Sequence, residues 1–109
     1  MLLYHAENIE LAADTDYGQG WVTFRWPDRL YGWECLTIDL DGHCSRRMPI
    51  HSGDGLPGFV VVQRDRIRLR FDPLLAAKLE LEQDVEIAFD VPDDDFRELC
   101  KVISYLNGE

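Results

Sequence analysis

The strongest constraint on this chain is a pair of segments whose side chains alternate with a period of two. Arg66-Ile67-Arg68-Leu69-Arg70-Phe71 alternates charged and apolar residues. Asp84-Val85-Glu86-Ile87-Ala88-Phe89-Asp90 does the same, with Ala88 as the one neutral member of the polar set. Successive strand residues point to opposite faces, so Ile67, Leu69 and Phe71 share one face of a sheet, as do Val85, Ile87 and Phe89. If the strands are neighbours, Arg66, Arg68 and Arg70 oppose Asp84, Glu86 and Asp90 on the wet face, and the apolar rows meet on the dry one. A cover for the dry face follows in the sequence. Phe96, Leu99, Cys100, Ile103 and Leu106 fall at helical spacing, with Arg97, Glu98, Lys101 and Ser104 between them. Pro92 suits the first turn of that helix, Asp93 or Asp94 can cap it, and the acidic run favours the positive end of the helix dipole. Asn107-Gly108 marks its end. Between the two strands, Asp72-Pro73 opens a short helix through Leu74, Leu75 and Leu79. One apolar helix stripe on one apolar sheet face is a two-layer α+β arrangement.

The preceding residues add strands. Residues 2–13 read as a first strand or strand pair, with Ile9 and Leu11 alternating against Glu10 and Ala12. Residues 14–20 form a turn by composition. In Trp21-Val22-Thr23-Phe24-Arg25-Trp26, Val22, Phe24 and Trp26 share one face and Trp21, Thr23 and Arg25 the other; Pro27-Asp28 ends the strand. Tyr31 to Leu40 is another strand, with Leu36, Ile38 and Leu40 in phase and a bulge at Gly32. Asp41-Gly42 is a turn. A short edge strand is expected around Met48-Pro49-Ile50. Residues 52–58 are a glycine-rich loop, Phe59-Val60-Val61-Val62 a buried strand, and Arg64-Asp65 a tight connection. The expected fold is a single α+β domain over residues 1–109. Short turns between strands favour an antiparallel sheet of about six strands, one face covered by the C-terminal helix.

Composition narrows the function. A chain of 109 residues suffices for one core. The longest apolar run, at residues 59–62, is far short of a membrane span, and residues 1–7 lack the pattern of a signal peptide. Three cysteines without a pairing pattern suit a reducing compartment, so a cytoplasmic protein is expected. The formal net charge of −10 argues against nucleic acid or anionic membrane as a ligand, since both need a basic surface. It permits a basic partner, whose approach it would accelerate, and it equally serves solubility.

Several residues invite chemical readings. Cys35, His43, Cys44 and His51 are zinc-ligand types, but their spacing lacks the close pairs of a finger or ribbon, and the adjacent His43 and Cys44 point to opposite faces of a strand. No metal or cofactor is expected. A nucleophilic cysteine would need an activating neighbour, and only Arg46 and Arg47 follow Cys44 closely. Cys100 reads as a small buried thiol on the helix. Gly53, Gly55 and Gly58 lack the lysine and helix start of a phosphate loop, and Asp54 would repel the anion. The carboxylates are more suggestive. Asp93, Asp94, Asp95 and Glu98 crowd the start of the long helix, and Glu80, Glu82 and Asp84 form a second cluster; capping and a solvated face account for some of them, a basic partner for the excess. Trp21 and Trp33 fall out of phase with the apolar rows, as interface anchors do, or as residues of a second covered face would.

One ordered pattern spans residues 31–106: the strand Leu36-Thr37-Ile38-Asp39-Leu40, the glycine loop, Phe59-Val60-Val61-Val62, and Arg66 to Phe71. The short helix leading to Leu79-Glu80-Leu81, the strand Val85 to Phe89, the acidic cap and the helix through Phe96, Leu99 and Leu106 complete it. In this the chain resembles the immunity protein 10 family of bacterial polymorphic toxin systems. The resemblance implies a small cytoplasmic antidote that binds and blocks a cognate toxin, with no catalytic residues of its own. An acidic surface suits a basic toxin such as a nuclease. The partner-binding residues expected are Asp93, Asp94, Asp95 and Glu98, with Glu80, Glu82 and Asp84 as a second patch and Trp21 and Trp33 as anchors. The alternative is a small-molecule or regulatory binding domain with its ligand between the sheet and residues 52–58; an enzyme using Cys44 and a histidine ranks last.

Overall fold

The computed structural model describes residues 2–14, 16–28, 30, 32–46 and 51–108. Among them the chain forms nine strands and two helices, in the order β1 (Leu2–His5), β2 (Asn8–Asp14), β3 (Gln19–Asp28), β4 (Gly32–Asp39), β5 (His43–Arg46), β6 (His51–Asp54), β7 (Phe59–Gln63), β8 (Arg66–Arg70), α1 (Pro73–Leu79), β9 (Asp84–Ala88) and α2 (Asp93–Leu106). The class is α+β, with the C-terminal helix packed on a sheet and the short helix between the last two strands. The strands divide between two sheets, where the sequence suggested one of about six strands. Four strands run in the order β1-β9-β8-β7, and five in the order β2-β3-β4-β5-β6. The five-stranded sheet is a succession of antiparallel neighbours, whereas β1 pairs with β9 in parallel. The expected strand at Met48, Pro49 and Ile50 lies outside the described residues, as does Tyr31.

The alternating segments meet as neighbours, but β9 ends before Asp90, so two of the three arginines face a carboxylate and the third does not. β8 and β9 are antiparallel neighbours, with Arg70 opposite Asp84, Arg68 opposite Glu86 and Arg66 opposite Ala88. Arg70 Nε donates to Asp84 Oδ1 at 2.8 Å, and Arg66 Nη1 reaches diagonally to Glu86 Oε1 at 3.5 Å. The Arg70 hydrogen bond holds the Asp84 carboxyl below its ordinary range. On the opposite face Ile67, Leu69, Val85 and Ile87 are fully buried. They join Val22, Phe24, Leu36 and Ile38 of the five-stranded sheet in one core. Each such side chain contributes roughly 2 kcal/mol of burial. The Tyr4 ring stacks on Trp26 with centroids 4.3 Å apart, joining the first strand of one sheet to the inner face of the other.

The helices close the edges. α1 packs against β6 and β5. Its start is as expected: the Asp72 side chain accepts from Leu75 N at 2.9 Å, and Pro73 occupies the first turn. A Cβ on Gly53 would lie 2.9 Å from Leu75 Cδ1 and 3.0 Å from Lys78 Cδ. The bare backbone of β6 is what lets α1 sit so close, so part of the glycine-rich segment is strand and serves packing. α2 runs beside β7. Its C-terminal Asn107 donates Nδ2 to Val60 O at 2.8 Å, and near its start Arg64 Nη2 donates to Val91 O at 2.7 Å and Asp93 Oδ1 at 2.8 Å. The Arg64 guanidinium also lies over the Phe96 ring, 4.8 Å from its centroid. Two expectations change here. Pro92 occupies the N-cap position without a side-chain hydrogen bond, and Asp93, Asp94 and Asp95 form the first turn, because Asp93 is engaged by Arg64. Val102, rather than Cys100, completes the buried stripe with Leu99 and Ile103, and Cys100 is only half-buried.

Candidate functional site

β2 is the free edge of the five-stranded sheet, and α2 passes in front of it. The hairpin between β2 and β3 sets Ala12 opposite Trp21, Glu10 opposite Thr23 and Asn8 opposite Arg25. Because Val22, Phe24 and Trp26 turn inward, Trp21 turns outward, and it remains 36% exposed. Asp95 and Glu98, three residues apart, occupy one side of α2. Between the two elements lies an open groove of about 550 Å³, with Ile9, Leu11 and Ala13 along β2, Trp21 and Glu10 to one side, and Asp95 and Glu98 across from them. Glu10 lies 3.5 Å from Arg25 Nη1, and Lys101 Nζ donates to Glu98 at 3.1 Å. Asp95 has no ion-pair partner among the described residues.

The groove opens onto the outer face of the five-stranded sheet. There Thr23 and Thr37, opposite each other on β3 and β4, share a hydroxyl hydrogen bond of 2.8 Å. Trp33, opposite Pro27, is 38% exposed, and the Arg25 guanidinium lies 4.4 Å from its ring centroid. Trp21 and Trp33 therefore stand near opposite ends of one face, roughly 20 Å apart by strand rise. Neither belongs to a covered layer.

The other expected site residues are dispersed. Asp93 is held by Arg64, and Asp94 pairs with Arg97 Nη1 at 3.4 Å. Asp84 faces the outer side of the four-stranded sheet with Arg70. Glu80 ends α1 in a left-handed conformation, φ 52°, with its carboxylate 3.2 Å from His51 Nε2 but not aligned for a hydrogen bond. Glu82 follows it, exposed. α1 lies at the β6 edge, four strand spacings from β2, so Glu80 and the groove are roughly 19 Å apart. The two acidic clusters do not form one patch. The groove gathers only Trp21, Asp95 and Glu98 from the expected set, and it adds Glu10, whose position between Ile9 and Leu11 marks the exposed side of β2.

The reactive residue types do not converge either. Register places Cys35 and His43 on the outer face of the five-stranded sheet, and Cys44 and His51 on the inner one. Among the described residues no three His, Cys, Asp or Glu side chains are grouped to hold a metal. Cys44 is fully buried, its thiol donates to Gly55 O at 3.3 Å, and burial, helped by the charge of Asp39, pushes its pKa up to about 12. A thiol so placed is a poor nucleophile at neutral pH.

One polar cluster was missed in the sequence. Glu34, 3% exposed, accepts from Arg46 Nε on the inner face of the sheet. Arg46 Nη1 also donates to Glu80 O at 2.7 Å and more weakly to Leu79 O at 3.4 Å, fixing the end of α1 to β5. Burial disfavours the Arg46 charge, yet the hydrogen bond and attraction of Glu34 outweigh it and raise the Arg46 pKa. Burial also raises the Tyr4 pKa at this end of the core. The signal was present: Glu34 is in phase with Leu36, Ile38 and Leu40, which places a carboxylate inside.

No helix among the described residues is long and apolar enough to cross a membrane. The chain matches no family model, and no curated protein or solved structure is significantly similar to it.

Proposed function

We propose that this protein is a non-enzymatic inhibitor that binds a basic partner through the β2–α2 groove and the adjoining open sheet face. The pattern over residues 31–106 that resembles the immunity protein 10 family supports reading the partner as a toxin domain, blocked by occupation. The observation that carries the reading is the convergence of Trp21 with Glu10, Asp95 and Glu98 around one open groove, in a chain of net charge −10. An exposed aromatic within a polar rim is the composition of an interface anchor. An acidic field raises the encounter rate with a basic partner and makes it sensitive to salt. It also imitates the charge of nucleic acid, which suits a nuclease as the target. Trp33, with Arg25 over its ring, extends the same face.

The test is capture by the immobilised protein, at low ionic strength, of proteins from the cells that encode it. Retention of a basic toxin domain is expected, lost as salt rises and reduced at least tenfold by Trp21→Ala or by Asp95→Lys with Glu98→Lys. Retention unaffected by these substitutions excludes the groove. A co-purifying metabolite, or copies of the chain alone, refutes the inhibitor reading.

A further inference from the structure

We propose that β2 is a docking edge, to which an extended segment of the partner with lysine or arginine at alternate positions adds as a sixth strand of the five-stranded sheet. The inference rests on the reading of the chain as a binder of a basic protein, and it specifies how that binding is made.

Backbone direction carries the argument. Leu40 N donates to Gly20 O at 2.9 Å, so Gly20 and the residues in phase with it, Val22 and Phe24, turn their backbone groups toward β4. Trp21, Thr23 and Arg25 turn theirs toward β2, where they face Ala12, Glu10 and Asn8. The close approach of Ala12 O to Gly20, 2.1 Å from where a Cβ would stand, agrees with that direction. Ile9, Leu11 and Ala13 must therefore direct their N–H and C=O groups away from the sheet and into the groove. Among the described residues no hydrogen bond is made on that side.

The other edges are treated differently. β7 has α2 beside it, with Asn107 bonded to Val60 O; β6 is covered by α1; β1 is only four residues long. β2 spans seven residues, Asn8–Asp14, and contains neither proline nor lysine, the residues that commonly blunt an open edge. A long unpaired edge in a groove is a template for strand addition. The choice of occupant follows from charge. Asp95 and Glu98, across the groove, receive the basic side chains that an added strand with this alternation turns to one face, with Asp95 free of any counter-ion among the described residues, and Glu10 adds to the acidic field.

The experiment uses the acetylated, amidated peptide Lys-Val-Lys-Val-Lys as probe, and a second peptide with the same sequence and charge but N-methylated at alternate amides. Residue-resolved hydrogen exchange of the full chain should show the amides of Ile9, Leu11 and Ala13 fast in the free protein. With the first peptide they should slow at least tenfold, while the second has no effect. Asp95→Lys should weaken the first peptide by about tenfold, the scale of one charge-assisted contact. Ala13→Pro should do the same through loss of one outward N–H donor, with no ladder bond removed. Should Ala13→Pro fail to fold, the N-methylated peptide decides, because it keeps the charge and removes only the backbone donors an added strand needs. Equal effects of the two peptides would reduce the interaction to charge, and unchanged β2 amides at millimolar peptide would refute strand addition. The two levels separate cleanly. If a basic partner is captured equally by the wild type and Ala13→Pro, the binder reading stands and the docking edge falls. If the peptide protects β2 but no basic protein is captured at any ionic strength, the edge stands and the inhibitor reading falls.

Discussion

Substituting Arg46 by alanine tests the interior more severely than any surface change. The variant leaves Glu34, 3% exposed, without its cation, and deprives the Leu79 and Glu80 carbonyls of a donor. Removing one partner of a buried ion pair costs about 3–5 kcal/mol. The Arg46 side chain retains 16% of its surface, so water reaches part of the site and the lower end of that range applies, about 3 kcal/mol. With a urea m-value of about 1.5 kcal/mol/M for a domain of this size, the midpoint should fall by about 2 M. The matched control is Glu34→Leu with Arg46→Met, which replaces the pair by apolar groups of similar length. It should lie within about 1 kcal/mol of the wild type, because neither desolvation nor an orphaned charge remains. Equilibrium urea unfolding of the wild type, Arg46→Ala and the double variant sets the stranded carboxylate against the apolar pair. A cost below about 1 kcal/mol for Arg46→Ala, or a double variant no more stable than the single, would refute the reasoning.

Other outcomes follow from local geometry. Gly53→Ala should destabilise by roughly 1–2 kcal/mol in thermal unfolding, since the added methyl meets Leu75 and Lys78 at the α1–β6 contact. Glu80→Gly should be neutral or stabilising by up to about 1 kcal/mol, because it relieves the left-handed residue at the end of α1 at the loss of a half-exposed contact with His51. Cys44 has its folded pKa raised to about 12, so its contribution is complete below the unfolded value near 9 and is lost as pH rises toward 12. Between pH 9 and 10.5 the wild type should therefore lose roughly 1.5 kcal/mol relative to Cys44→Ala in urea titrations. Arg70→Ala should return the Asp84 carboxyl toward its ordinary range, read from the carboxyl carbon shift in an NMR titration; an unmoved titration would remove Arg70 as the cause.

The sequence disclosed most where a local period has one physical meaning. The alternation in β8 and β9 set both the faces and the facing charges, and the inward phase of Val22, Phe24, Leu36 and Ile38 was equally plain. Partition between sheets was not legible, because an apolar row reads the same whichever layer it faces. The parallel partnership of β1 and β9 joins segments about eighty positions apart, and no local pattern encodes such a pairing. The cap of α2 was misjudged because Asp93 has a distant partner, Arg64, in the turn between β7 and β8. For the site, the outward phase of Trp21 was visible, and so was the acidic start of α2. That the two stand across one groove depends on tertiary packing, as does the separation of Glu80, Glu82 and Asp84 from them.

The parallel placement of β1 also bears on how the molecule is assembled during synthesis. Strands β2 to β6 pair each with the next, so the five-stranded sheet can form as its hairpins leave the ribosome, and β7 with β8 can follow in the same way. β1 emerges before all of them and has no partner until β9 has been made. The earliest of these nine strands is thus the last to be seated, and until then Tyr4 has no place over Trp26. Closure of the core is deferred until β9 has been made, after the other strands of both sheets.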